Sequence, residues 1–238
     1  FMRLKSGRIW YVPGFGEESQ SFEKWPALLR SIRTERCTPI LGFGVLDSLL
    51  GSMRDIARRW AETYRYPLAP DERDELPQVA QFLAVNQDRN FPRDELGEYL
   101  RRELQQRYQQ DLPEDLQTGR ASLDRIVKAI GAKRRANNPR DPHRVLARQP
   151  FSIYITTTAD DLLTEALREA GKDPQIALCP WNEYLEASSA EAEANFRPAP
   201  DRPLVYHLFG RLTEPDSLVI TEDDYFDYLI GVTSNKDL

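Results

Sequence analysis

Short apolar runs, each bounded by turn-forming residues, recur along the chain and predict its strands. They occupy residues 9–12, 38–41, 151–156, 175–178, 204–208 and 217–220. Several of these runs are almost continuously hydrophobic, which is typical of strands that are covered on both faces of a parallel sheet. We therefore expect a parallel sheet at the centre of the molecule.

The apolar residues change to helical spacing between Val45 and Arg148. A stripe with spacings of three and four runs from Leu46 to Tyr64 and predicts a long helix that ends before Pro67. Further helices are predicted over residues 76–85, 92–108, 122–132 and 142–146. Because a crossover between parallel strands needs only one helix, this stretch predicts a helical module inserted between two strands of one sheet.

Beyond Phe151 the chain alternates strand and helix more closely, with helices predicted over residues 160–170 and from Glu222 onward. Thr221 and Asp224 resemble a capping box at the start of the last helix. The polar, proline-containing stretch at residues 187–203 predicts a flexible loop. The pattern as a whole predicts an α/β fold in one globular unit.

Composition narrows the classes of function. The 238 residues carry a formal charge of −6, which gives no net attraction to nucleic acid or to an anionic membrane. The basic run at residues 133–135 stands among acidic residues and favours a solvated face over a nucleic-acid site. Two cysteines and two histidines are too few for a disulfide framework or a zinc site, and they fit a reducing, cytoplasmic setting. No apolar run approaches the roughly 20 residues of a membrane-spanning helix.

A glycine-containing turn follows the apolar run at residues 38–41 and leads into a helical pattern. The free amides at a helix N-terminus can hold a phosphate, so Gly42 and Gly44 predict a phosphate-binding turn. The spacing of Gly42, Gly44 and Gly51 matches neither G-x-G-x-x-G nor a P-loop. A tight corner that needs glycine backbone freedom explains the same residues, and the pattern leaves both interpretations open.

Threonines and aspartates meet where the run at residues 151–156 ends. Ligands of open α/β sheets bind at the carboxyl ends of the strands, where we expect the side chains of Thr157, Thr158, Asp160 and Asp161. An aspartate at this position can accept hydrogen bonds from ribose hydroxyls. The two aspartates can equally cap the helix that follows.

A histidine, His207, lies within the apolar run at residues 204–208, close to Gly210. An imidazole in such a strand serves either as an acid or base, or as a core residue that is hydrogen-bonded to the backbone. Both interpretations stay open at this point.

Four stretches stand in a particular order along the chain. They are "TPILGFGV", "YITTTADDLLTEAL", "VYHLFGRL" and "SLVITEDDYFDYL". Their order and composition resemble the sirtuin-like family, in particular its divergent prokaryotic branch of defence and signalling proteins. The resemblance implies a Rossmann-like parallel sheet with a large inserted helical module, and it implies NAD as the cofactor or substrate.

Members of this family cleave the bond between nicotinamide and ribose, either to deacylate lysine or to hydrolyse NAD. Carried over by position, the glycine turn would line the dinucleotide phosphates and Asp160 would lie near the ribose. The predicted cofactor-binding residues are Gly42, Phe43, Gly44, Thr157 and Asp161, and the predicted catalytic residues are Thr158, Asp160 and His207. No metal site is predicted.

Two positions depart from the family pattern. Thr158 stands where the family has the asparagine that holds the nicotinamide ribose and the attacking water, and Phe209 stands where it has the histidine base. His207, two residues earlier on the same face of the strand, is the candidate replacement. No C-x-x-C pair is present, so the resemblance predicts no zinc ribbon and disfavours a protein deacylase.

The favoured hypothesis is an effector domain that hydrolyses NAD to nicotinamide and ADP-ribose in a regulated defence or signalling assembly. The alternative, which the two departures motivate, is a catalytically silent module that senses a nucleotide or serves as a scaffold. We expect an N-terminal extension with a strand and a helix over residues 1–36, a sirtuin-like domain over residues 37–238, and a helical insertion at about 67–148. The expected context is a longer multidomain chain that interacts with NAD or a related nucleotide, with its other domains and with further copies of itself.

Overall fold

The computed structural model describes residues 25–42, 49, 51–67, 73–119, 121–182, 185 and 196–234. The predicted strand at residues 9–12, the turn residues Phe43 and Gly44, and the first part of the predicted loop at 187–203 lie outside the described residues. None of the helices within the described ranges combines the length and the apolar composition that a membrane crossing requires.

Four parallel strands form the centre of the molecule. They are β1 (Ile40–Leu41), β2 (Ile153–Thr156), β3 (Gln175–Leu178) and β4 (Leu204–His207), and their order in the sheet is β1-β2-β4-β3. Leu41, Thr156 and His207 occupy one row across the sheet, since β2 pairs with β1 on one side and with β4 on the other. The predicted α/β fold with a Rossmann-like parallel sheet is confirmed.

Helices fill the chain between β1 and β2 and flank the later strands. In chain order they are α1 (Trp25–Arg33), α2 (Met53–Thr63), α3 (Leu76–Asn86), α4 (Phe91–Arg107), α5 (Glu114–Gln117), α6 (Leu123–Asn137), α7 (Pro142–Ala147), α8 (Leu162–Glu169) and α9 (Glu222–Ser234). Short 3-10 helices occupy Gln109–Asp111 and Pro215–Ser217. Helices α2 to α7, which we call the helical layer, thus lie between two strands that pair directly with each other.

Two predictions from the apolar pattern are wrong in detail. Residues 217–220 do not form a strand, because Ser217 ends a 3-10 helix and the next three residues have no regular structure. The side chains of Leu218 and Ile220 are buried against the helical layer, so burial without strand pairing explains their apolar character. The helix predicted from Leu46 is interrupted at Gly51, whose φ is +82°, and α2 begins after the N-cap residue Ser52.

Buried side chains form separate clusters on the sheet and within the helical layer. The sheet cluster includes Leu41, Tyr154 and Val205, which come from three neighbouring strands. The helical cluster centres on Trp60 and Leu83, and it also contains Leu218 and Ile220 from the segment after β4. The chain that follows β4 therefore packs against the inserted helices as well as against the sheet.

The start of α9 is fixed by its own residues and by α4. Thr221 Oγ1 accepts a hydrogen bond from the Asp224 amide at 3.1 Å, and Asp224 Oδ2 accepts one from the Thr221 amide at 3.0 Å, which confirms the predicted capping box. Arg93 of α4 donates to Asp224 Oδ1 at 2.6 Å, and these two side chains are 7% and 5% exposed. A buried ion pair thus attaches the last helix to the helical layer.

Candidate functional site

The carboxyl ends of the parallel strands bring most of the predicted site residues to one edge of the sheet. Thr156 lies in register between Leu41 of β1 and His207 of β4. The two further threonines and the two aspartates follow β2 directly and lead into α8. This edge is where open α/β sheets bind their ligands, so the fold collects residues from three strands at a suitable place.

The threonines at the end of β2 bond to one another and to β1. The hydroxyls of Thr156 and Thr158 lie 2.9 Å apart, and the amide of Thr158 donates to Thr156 Oγ1 at 3.1 Å. Thr157 donates its hydroxyl to the carbonyl oxygen of Leu41 at 3.3 Å. These contacts tie the end of β2 to the end of β1, and they leave Thr158 buried with its hydroxyl already bonded.

Asp160 accepts a hydrogen bond from the first amide of α8 with one carboxylate oxygen, and its other oxygen has no partner among the described residues. Its Oδ1 accepts a hydrogen bond from the Leu162 amide at 2.9 Å. Its Oδ2 is buried and has no hydrogen-bond partner in the part of the chain that the structure describes, and the residue is only 6% exposed. A buried carboxylate oxygen without a donor is costly, so this atom marks a place where a ligand or water completes the site.

A cavity of about 350 Å³ adjoins Asp160. The loop between β2 and α8, the start of α6 and the loop after β4 all contribute to it. Its described lining residues are Ser122, Leu123, Asp124, Val127, Ala159, Asp160, Asp161, Leu212 and Thr213. Carboxylates and hydroxyls alternate here with aliphatic side chains, which suits a small flat group that is cationic or carries N–H donors. Thr158 and His207 are not among the described lining residues.

Asp161 is held by an arginine that the sequence did not single out. Arg211 donates Nε to Asp161 Oδ1 at 3.0 Å and Nη2 to Asp161 Oδ2 at 2.7 Å, and its Nη1 bonds to Glu214 at 2.8 Å. The Leu212 amide also donates to the Ala159 carbonyl oxygen at 2.8 Å. These bonds join the two loops that border the cavity, and they engage both oxygens of the predicted cofactor ligand Asp161.

His207 is a neutral imidazole in the interior. The ring is 1% exposed, and its Nδ1 lies 3.1 Å from the carbonyl oxygen of Thr158. A carbonyl oxygen only accepts, so Nδ1 carries the proton and Nε2 is left as a free base. Burial lowers the pKa of His207, against the opposing effect of the Asp161 carboxylate. Nε2 is buried and finds no hydrogen-bond partner among the residues that the structure describes.

A second histidine, His143 of α7, interacts electrostatically with the Asp160 carboxylate. It is 6% exposed, and its Nδ1 lies 3.7 Å from Asp141 Oδ1. Burial lowers the pKa of His143, while the Asp160 carboxylate acts in the opposite direction. The sequence pattern placed His143 in the first turn of a short helix and gave no signal of this interaction with Asp160.

The other predicted positions are distributed around the edge. Gly42 directly follows β1, and a Cβ atom built on it would meet nothing within 4 Å. The ring of Phe209 contacts Tyr225 and Tyr228 of α9, with centroids 5.6 and 5.2 Å apart, so this residue belongs to an apolar cluster. Phe43 and Gly44 lie outside the described residues. Among the described residues, no group of three or more His, Cys, Asp or Glu side chains could hold a metal ion.

The segment that carries Asp160 and His207 also carries the similarity to known proteins. Residues 152–237 match the SIR2-like domain. This SIR2-like segment contains β2, β3, β4, α8 and α9, and with them both unpartnered atoms of the sheet edge. The predicted sirtuin-like resemblance is thereby confirmed.

Two curated relatives align with part of the chain. The NAD(+) hydrolase ThsA of Enterococcus faecium is 33% identical over 86 residues, which is 36% of this chain and 16% of the relative. The NAD(+) hydrolase ThsA of Acinetobacter baumannii (strain 532279) is 30% identical over 107 residues, which is 44% of this chain and 19% of the relative. The aligned part thus spans less than a fifth of the length of either relative.

Proposed function

We propose that this domain binds NAD and hydrolyses the bond between nicotinamide and ribose, which yields nicotinamide and ADP-ribose. Two findings support the reaction: residues 152–237 match the SIR2-like domain, and part of the chain is similar to two proteins named as NAD(+) hydrolases. The observation that carries the proposal is the buried, unpartnered Oδ2 of Asp160 beside a cavity of about 350 Å³.

Asp160 is proposed to stabilise the charge that develops as the bond breaks. The electron pair of the C–N bond leaves with nicotinamide, which becomes neutral, and positive charge develops on the ribose ring. A carboxylate that is 6% exposed acts on such a charge through a medium of low polarity, where its effect is large. The aliphatic and hydroxyl groups of the adjoining cavity would receive the nicotinamide ring and its amide.

His207 is proposed to accept the proton of the attacking water. Water adds to the ribose carbon, and one of its protons passes to Nε2, the nitrogen that has no partner. Thr158 fixes the tautomer, because its carbonyl oxygen holds the proton on Nδ1. Since the imidazole is 1% exposed, we propose that the loops around the cavity move apart when NAD binds and admit the water.

The remaining predicted residues receive supporting roles in this proposal. Gly42, with Phe43 and Gly44, would line the dinucleotide phosphates, and Thr157 would lie beside them. Asp161 would act through Arg211 by holding the two loops in place. We retain the proposed domain limits of residues 37–238, with the helical insertion at about 67–148.

Turnover of NAD by the purified chain tests this function directly. Nicotinamide and ADP-ribose are separated by chromatography after incubation with NAD, for the wild type, for Asp160→Asn and for His207→Gln. Asp173→Asn is the matched control, because Asp173 is 87% exposed and lies beyond the far end of α8. We expect product from the wild type and from the control only. Equal turnover by the Asp160→Asn variant would overturn the proposal.

A catalytically silent nucleotide sensor is the second candidate. Three observations favour it: the hydroxyl of Thr158 is bonded to Thr156, the ring of His207 is almost fully buried, and Phe209 packs among aromatic rings. Calorimetric titration with NAD and ADP-ribose separates the two functions, because a sensor binds these nucleotides without releasing nicotinamide.

We further propose that hydrolysis takes place in a regulated defence or signalling assembly, in line with the sirtuin-like branch that the sequence resembles. Bacterial cells that express this chain are expected to lose NAD faster after a bacteriophage challenge than before it. The same cells with the Asp160→Asn variant should keep their NAD throughout.

A further inference from the structure

A second and larger cavity lies between the C-terminal ends of α6, α7 and α8. Its volume is about 760 Å³, which falls within the roughly 300–1,000 Å³ that is usual for small-molecule sites. The strands that follow α7 and α8 start nearby, so this cavity lies at the amino edge of the sheet. It is therefore separate from the proposed NAD site, which lies at the carboxyl edge.

The described lining of this cavity is strongly basic. Arg135, Arg144, Arg148 and Lys172 face a single carboxylate, that of Glu169. Arg135 pairs with both carboxylate oxygens of Glu169: its Nε donates to Oε2 at 2.8 Å and its Nη2 donates to Oε1 at 2.6 Å. The hydrogen bonds from Arg135 lower the pKa of Glu169, so this carboxylate stays ionised and is already paired.

The three other cations keep donors that no acceptor among the described residues uses. Arg144 donates Nη1 to the carbonyl oxygen of Arg135 at 2.7 Å, and Lys172 donates Nζ to the carbonyl oxygen of Gln149 at 2.6 Å. Arg148 is exposed, and within the described part of the chain it forms no ion pair. A guanidinium has five N–H donors and an ammonium has three, so most of their donors are available to a ligand.

The ends of the three helices weaken this positive field without cancelling it. Each helix C-terminus carries roughly half a negative charge, and several of the cations compensate these ends. The four cations of the described lining carry four unit positive charges. This exceeds the combined negative charge of Glu169 and the three helix ends. Burial lowers the pKa of Lys172, and no carboxylate opposes that effect, which is the behaviour of a cation without an anionic partner.

We infer that this cavity binds a nucleotide that carries at least two phosphate charges. Guanidinium groups match phosphate oxygens in pairs, and the ammonium of Lys172 adds a point charge. Five alanines complete the described lining, and their methyl groups leave room for a flat apolar base beside the cations. This inference does not depend on the proposed hydrolysis, because no residue is shared between the two cavities.

Calorimetric titration of the purified chain with ADP, pyrophosphate and adenosine tests the inference. We expect saturable binding of ADP below about 1 mM, weaker binding of pyrophosphate and no binding of adenosine. Arg148→Glu should weaken ADP binding at least tenfold without affecting the fold, because Arg148 is exposed and makes no ion pair with any described residue. Ala136→Glu, which places a carboxylate in the lining, should have the same effect.

Arg125→Glu is the matched control, since Arg125 lies on the same helix α6, is 61% exposed and does not line the cavity. Unchanged ADP affinity in both cavity variants would overturn the inference, because the bound nucleotide would then occupy the NAD site. Equal affinity for pyrophosphate and ADP would overturn the assignment to a nucleotide. Binding of polyglutamate or RNA, but not of ADP, would show instead that a macromolecule covers this face.

Discussion

Helices α6 and α8 run between two cavities whose linings carry opposite charge. At the N-terminal ends of these helices lie Asp124, Asp160 and Asp161, and the cavity there is acidic and modest in size. At the C-terminal ends lie Arg135 and Glu169, in a cavity that is basic and about twice as large. A single pair of helices thus offers carboxylates at one edge of the sheet and cations at the other.

The two ends differ in which of their polar atoms have partners. At the acidic end, the buried Oδ2 of Asp160 has no partner among the described residues, and leaving it so costs stability. The same holds for Nε2 of His207, which lies at the same edge of the sheet outside the described cavity lining. At the basic end the deeply buried arginine is fully paired, and the unused donors belong to cations that water can reach. The first end is therefore poised for chemistry, and the second for binding.

The largest expected effect comes from the acidic end. Asp160→Asn keeps Oδ1 as the acceptor for the first amide of α8 but removes the negative charge, so we expect a loss of NAD turnover by a factor of at least about 100 with little change in stability. Turnover and thermal unfolding are measured on the same preparation. A stable variant with full activity would remove the distinction between the two cavities.

The loop after β4 should be the next most sensitive element. Gly210 has φ +82°, and a Cβ atom there would lie 2.2 Å from the carbonyl oxygen of Ser217. Gly210→Ala combines backbone strain of about 1–2 kcal/mol with a clash against backbone, so we expect the free energy of unfolding to fall by about 3 kcal/mol.

Gly97→Ala is the contrasting control, since it lies within α4 and a Cβ atom there would meet nothing within 4 Å. It should raise the free energy of unfolding by about 0.5–1 kcal/mol in urea titrations. A Gly210→Ala variant as stable as the wild type would mean that this loop is not held against Ser217.

The ion pair between Asp161 and Arg211 joins the two loops at the acidic end. Asp161→Asn removes one of the two carboxylates that pair with Arg211, whose side chain is 14% exposed and which keeps Glu214, so the free energy of unfolding should fall by about 1–3 kcal/mol. Because the pair positions loops and does not contact the reacting bond, kcat should fall while KM for NAD changes less. Arg211→Lys keeps the charge but loses the paired geometry, and it should show the same split in a weaker form. A change in KM alone would indicate that Asp161 binds NAD directly.

The smallest effect concerns pH. Burial lowers the pKa of His207 in the folded chain below its ordinary value of about 6.5, so the unfolded chain binds the proton more readily. The free energy of unfolding should therefore fall as the pH drops below about 6.5, and level off once the folded ring is protonated. His207→Gln should reduce this loss in urea titrations at pH 7.5 and 5.5, and His143→Gln should reduce it as well, since its pKa is also lowered by burial. If both variants lost as much stability between pH 7.5 and 5.5 as the wild type does, the pH dependence would belong to other groups.

Much of the fold could be predicted because the strands carry continuous apolar runs. The apolar runs at residues 151–156, 175–178 and 204–208 predict β2, β3 and β4, and turn residues bound each run. Residues 217–220 have the same apolar pattern and still form no strand. A local pattern reports burial, and it cannot report whether a neighbouring strand is available for pairing.

The site could be predicted only in part, for a related reason. The aspartates after β2 stand out because their place at a strand end follows from local order. Arg211 and His143 are separated from Asp161 and Asp160 by 50 and 17 positions, so only the tertiary fold brings them together. The start of α6 likewise reaches the cavity from within the inserted layer.

The ion pair at the start of α9 has a consequence for the order of folding. Arg93 and Asp224 are 131 positions apart, and Asp224 also completes the cap of its own helix. During synthesis, Asp224 is added to the chain 131 positions after Arg93, so the guanidinium of Arg93 has no carboxylate partner from this pair until then. Contacts of such separation form slowly, so α9 should dock late, and until then α4 presents an unneutralised charge to whatever assists its folding.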